Sequence, residues 1–159
     1  MTAFPPLAIA NAVLDEAARQ GKQLTIMQML KLVYISHGWS LGLLNEPLVN
    51  QQPEAWQHGP VFPSVYRAFR QYGSSPITAK ATDPFGQVYD AALSSGQKQI
   101  IESVVTSYGG MHAFALSGIT HQEGTPWSDT YRRGASADIP DRVIADHYKQ
   151  LARERQPHA

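Results

Sequence analysis

Cysteine is absent from all 159 residues. That excludes disulfides, thiolate-held metals and a cysteine nucleophile. Net charge is absent as well, because 13 Lys and Arg balance 13 Asp and Glu. A neutral chain is a poor match for nucleic acid as its main partner, since that binding rests on neutralising phosphates. Neutrality also leaves little charge repulsion, which is compatible with a homodimer. No apolar run is long enough to span a bilayer. The most apolar stretch, from Leu24 to Leu44, is interrupted by Lys31, Ser36 and His37. The N-terminus has no basic start, and Asp15 and Glu16 break its apolar run. It does not read as a secretory signal, so a cytoplasmic location with no membrane partner is expected. The nucleophile-elbow, phosphate-loop, dinucleotide-binding and HExxH patterns are all missing.

What is present is ordinary globular composition, with 43% hydrophobic and 16% charged residues. The length fits one domain over residues 1–159 with a core of its own. The expected fold class is mainly α: a compact bundle of about six or seven helices around a central apolar helix, with a short two-stranded β-ribbon.

Pro5 and Pro6 precede an amphipathic helix over 7–20, which Gly21 stops. Thr25 and Gln28 have the spacing of a capping box. The helix they open is apolar on nearly every side up to Leu44, so it must be covered on every side. Asn45-Glu46-Pro47 ends it. Residues 47–50 and 54–57 read as the two strands of the ribbon, and Gly59-Pro60 as a turn. Pro63 suits the first position of a helix running to Tyr72. Residues 74–95 read as a surface loop with a turn or two of helix, of the kind that often binds. Ser94 or Ser95 caps a helix over 96–108, whose Ile100, Ile101, Val104, Val105 and Tyr108 form one stripe. Shorter helices are expected over 111–120 and from Trp127 to Arg133, with Gly134 after it. A last helix runs over 140–155 and ends in basic residues.

The histidines are scattered. His37, His58 and His121 with Glu123 are the residues a metal-dependent hydrolase would use, and that is the first alternative reading. No pair of histidines has ligand spacing on one helix face, so they read first as structural groups. A nucleic-acid-binding regulator is the second alternative, although no recognition helix with clustered Arg or Lys is visible. The tryptophans Trp39, Trp56 and Trp127 each stand beside a turn or helix end. There a ring can be buried while its N–H finds a partner. They read as core anchors, or as parts of an exposed aromatic patch of the hot-spot kind.

Three strings carry a more specific signal. Leu24-Thr25 followed by Met29 to Trp39 is one, and Glu54 to Tyr66 is the second. The third is Leu116 to Trp127, with Thr120, His121, Glu123, Pro126 and Trp127 in place. Together with Ile139-Pro140-Asp141 through Tyr148, they resemble in correct order the signatures of the Panacea domain family, which includes SocA-like and GepA-type phage-associated proteins. Met29-Leu30-Lys31 stands where Leu-Gln-Lys is commoner, and His58 where Tyr or Phe is common. The resemblance implies an antitoxin that binds and neutralises a toxin encoded next door. SocA-like members also act as adaptors that present a toxin to a AAA+ protease. Neither role needs a catalytic residue, a metal or a cofactor. Partner contacts are expected from Trp56, His58, Gly59, Pro60, Tyr66, His121 and Trp127, and further from the 74–95 loop or the outer face of a terminal helix.

Overall fold

Thr25 starts the helix on which the rest of the chain packs. The computed structural model describes residues 2–131 and 137–155. In it the Thr25 hydroxyl accepts the Gln28 amide at 3.4 Å, and the Gln28 side chain accepts the Thr25 amide at 2.9 Å. This reciprocal cap sets the register of α2, Ile26–Trp39. Twelve of the fourteen residues of α2 are buried, so it occupies the centre, as an all-round apolar helix must. Helices α1 (Pro6–Arg19), α3 (Pro63–Phe69), α4 (Ser95–Tyr108), α5 (Ala113–His121) and α7 (Asp141–Arg155) all contact it. A five-residue helix, α6 (Pro126–Thr130), bridges α5 and α7.

Several ends form as the sequence predicts. Gly21 takes φ +73° beyond α1. The Lys22 amide reaches the Ala17 carbonyl at 2.8 Å and the Gly21 amide that of Ala18 at 3.0 Å, which closes a Schellman motif. Ser94 and Gln97 form a second capping box at the start of α4. Pro63 stands at the first position of α3.

Past Trp39 the central helix widens into a π-helical segment, Ser40–Leu44, which ends at Asn45 in the left-handed region. Gly38 and Gly42 lie on the face of this helix that meets α7. Their missing side chains form a notch that holds Tyr148. The ring of Tyr148 meets Trp39 edge to face at 5.0 Å and Tyr34 at 6.4 Å.

The ribbon differs from expectation. β1 (Glu54–Trp56) pairs with β2 (Gly59–Val61), so Gly59-Pro60 belongs to a strand and the reversal falls at Gln57-His58. Gly59 takes φ +120°, which lets the second strand leave the turn. Pro60 is tolerated because β2 is an edge strand. A third strand, β3 (Ala137–Asp138), adds to the other edge of β1, giving the order β2-β1-β3. Residues 47–50 join no sheet. Val49 instead forms a lone parallel bridge with Phe4.

Helix α6 stops at Thr130, three residues before the expected end, because Tyr131 turns extended at φ −62° and ψ 128°. Arg133 and Gly134 lie outside the described residues.

The 74–95 loop contains no helical turn. It is an arch closed by an antiparallel bridge between Thr82 and Val88. Asp83 stabilises the arch by accepting the Phe85 and Gln87 amides at 2.8 and 3.0 Å. Buried Asn11 of α1 holds both feet. Its side chain donates to the Ala81 and Tyr89 carbonyls and accepts the Ala81 amide, all within 2.9 Å. Asn11→Ala is expected to remove three hydrogen bonds, at about 1 kcal/mol each. The loss should fall mostly on the arch. Hydrogen exchange at the Ala81 amide should quicken roughly a hundredfold.

Candidate functional site

The β1–β2 hairpin runs directly into α3, and that short connection sets Trp56 against Tyr66. Their rings meet edge to face at 5.4 Å. The Trp56 indole N–H donates to Glu54 Oε1 at 2.8 Å, which orients the ring. On the other side, the Thr125 hydroxyl accepts the Ser128 amide and Pro126 opens α6, so Trp127 sits in the first turn. There it meets His121 edge to face at 5.1 Å and stacks on Tyr131 at 4.7 Å. The two halves meet directly where the Trp127 indole N–H donates to the Trp56 carbonyl. The result is an aromatic strip from Tyr66 through Trp56 and Trp127 to His121 and Tyr131, every member half-buried.

Exposed His58 lies at the hairpin turn beside this strip. Its carbonyl accepts the Ser117 hydroxyl at 3.0 Å. The same hydroxyl oxygen lies 3.1 Å from His121 Nδ1. With the hydroxyl proton already donated, His121 supplies the proton on Nδ1 and leaves Nε2 free to accept. Burial, and after it the positive charge of Lys31, push the His121 pKa below the ordinary histidine range. The strip is therefore uncharged at neutral pH.

Gly59 and Pro60, expected at the surface, are buried beneath the strip. They enclose Lys31, which has no exposed surface at all. A Cβ on Gly59 would lie 2.7 Å from Lys31 Nζ, so the ammonium fills the space that a side chain would take. Its bond is a 3.4 Å contact to the Pro60 carbonyl. Burial lowers the Lys31 pKa to about 8. Sequence reading passed over this residue as a mere interruption of an apolar run. It also passed over Tyr131 and Ser117, neither of which stands out by type. The one available signal was a lysine flanked on both sides by residues that must be covered.

The histidines of the hydrolase reading do not converge. His37 is fully buried, accepts the Val49 amide on Nδ1 at 3.1 Å and meets Asp141 through Nε2 at 2.9 Å. Both ring nitrogens are therefore committed to joining α2 to the chain at Val49 and to α7. Among the described residues, no group of three His, Cys, Asp or Glu could hold a metal ion. Among the same residues, no helix is long and apolar enough to cross a membrane.

Comparison with known proteins agrees with the order of motifs. The family model described as "Antitoxin SocA-like, Panacea domain" matches residues 29–128. The chain is also similar to antitoxin SocA of Caulobacter vibrioides, with 33% identity over 153 residues, 89% of this chain and 81% of that protein. No solved structure matches. The match begins inside α2 and ends in α6, so it contains both halves of the aromatic strip up to Trp127.

Proposed function

The chain belongs to the SocA-like, Panacea-domain antitoxin family, and from that premise we propose that it neutralises a protein toxin by binding it through the aromatic strip. The observation that carries this reading is the bond from Trp127 to the Trp56 carbonyl. It makes one surface from two strings that are separate in sequence. Half-buried Trp rings whose indole N–H groups have partners, with half-buried Tyr rings beside them, are the groups that dominate protein interfaces, because they bring large apolar area at small entropy cost. Their backing is rigid: the hairpin rests on α2 and α5. The strip carries no charge of its own at neutral pH, so a predominantly apolar patch on the toxin is the expected counterpart. His58, exposed at the turn, and Tyr66 complete the surface.

The test is co-expression with the product of the neighbouring gene. That product is expected to arrest growth alone and to be harmless with this chain present. Tyr66→Ala and Tyr131→Ala remove half-exposed rings with little damage to the core. Each should weaken toxin binding at least about thirtyfold, equivalent to about 2 kcal/mol of hot-spot energy. Their thermal unfolding should stay close to that of the parent. Full protection and unchanged affinity in both variants would move the interface elsewhere.

A further inference from the structure

On another part of the molecule, a groove of about 430 Å³ opens between the π-helical segment, α4 and the C-terminal end of α7. Its walls include Trp39, Leu44, Ile100, Val104 and Tyr108, and Arg155 is the one charged residue among those lining it. Leu43, 57% exposed, also lines it. A π-helical turn is uncommon and frequently accompanies a functional site.

Arg155 is pre-positioned. Its Nη1 donates to the Tyr108 hydroxyl at 3.1 Å, and its guanidinium carbon lies 5.2 Å from the centre of the Trp39 ring. The Trp39 indole N–H donates to the same Tyr108 hydroxyl at 3.4 Å. No carboxylate among the described residues pairs with Arg155. An exposed guanidinium placed over an indole and, among the described residues, bonded to the Tyr108 hydroxyl can receive a planar anion.

We propose that this groove is a binding site for a small apolar carboxylate, its hydrocarbon part lying against Ile100, Val104 and Leu44 and its carboxylate on Arg155. The volume falls in the range that holds small molecules. The walls also argue against a peptide. They are helix side chains, and the backbone amides behind them are spent within α4 and the π-helical turn. An extended peptide would leave its own amides unpaired. A ligand without amides avoids that cost.

Titration calorimetry with octanoate, octanamide and a capped Leu-Leu-Leu peptide tests this on the full chain. Octanoate is expected to bind at least about tenfold tighter than octanamide, a difference of about 1.4 kcal/mol. Arg155→Met should remove that preference while leaving residual affinity for both. Ser103→Trp places a ring in the groove from an exposed position of α4, without touching Arg155, and should abolish binding of both. Equal binding of octanoate and octanamide by the parent would overturn the proposal. So would no saturation by octanoate, or octanoate binding unchanged in Ser103→Trp. Tighter binding of the peptide than of octanoate would also overturn it and assign the groove to a protein segment. None of these outcomes depends on the toxin.

Discussion

Gly38→Ala is expected to destabilise the fold by about 3 kcal/mol, the upper end of what overpacking costs. In a chain of this size that lowers Tm by roughly 10 °C. A methyl there would lie 2.6 Å from both Cδ2 and Cζ of Tyr148. The ring has no room to withdraw. It is 4% exposed and is flanked by Trp39, Tyr34 and His147. Alanine is otherwise the better helix former by up to about 1 kcal/mol, so the loss reports the notch and nothing else. Adding Tyr148→Leu should recover part of it, giving a coupling energy of about 1 kcal/mol or more in a double-mutant cycle. Additive losses would show that Tyr148 does not occupy the Gly38 site.

Lys31→Met should act in the opposite direction. Burial brings the lysine from an ordinary pKa of 10.5 to about 8 in the folded chain. Between those values the unfolded chain holds the proton and the folded chain does not. Stability of the parent therefore rises with pH from about 8 to about 10.5 and is lowest below that window. The full rise is about 3 kcal/mol, from roughly two and a half units at 1.36 kcal/mol each. Methionine has similar volume, carries no charge and packs adaptably. At pH 7 the variant should be more stable by about 2 kcal/mol, after loss of one hydrogen bond to the Pro60 carbonyl. Its stability should not rise across that window as the parent's does. Urea unfolding at pH 7 and pH 10 checks both statements. A variant less stable than the parent at pH 7 would mean that the ammonium is held far better than its one long contact indicates.

Much of the helical framework was legible because its signals are local. Thr25 with Gln28, a serine cap at 94 or 95, Gly21 and Pro63 each act within one turn of chain, and the structure makes Ser94 the cap, with Gln97 as its partner. The ribbon was half legible. Glu54 to Trp56 reads as a strand, but its neighbours are decided elsewhere. One is set by the left-handed Gly59. The other, Ala137–Asp138, is some 80 residues away and too short to show a period. Four members of the strip, Tyr66, Trp56, Trp127 and His121, were named from its motifs, and Tyr131 was not. That Trp56 and Trp127 meet depends on α5 packing against β2, which no local pattern encodes. Gly59 and Pro60 were expected at the surface for a related reason. A Gly-Pro pair ordinarily marks an exposed turn, and here a buried lysine needs the space that the glycine leaves. The groove at Arg155 was invisible, since it is made where the π-helical segment and the last residue of α7 meet the length of α4.

Asn11 grips the chain at Ala81 and again at Tyr89, and the residues between touch little else. Phe85, at the crest, is 92% exposed. Those seven residues, 82–88, form a handle fastened at both ends to a fixed mount. An epitope spliced between Phe85 and Gly86 would ride on that handle, its added length absorbed before either fastening is strained. This bow offers a place to label the molecule while leaving both the ring-lined face and the Arg155 cleft untouched.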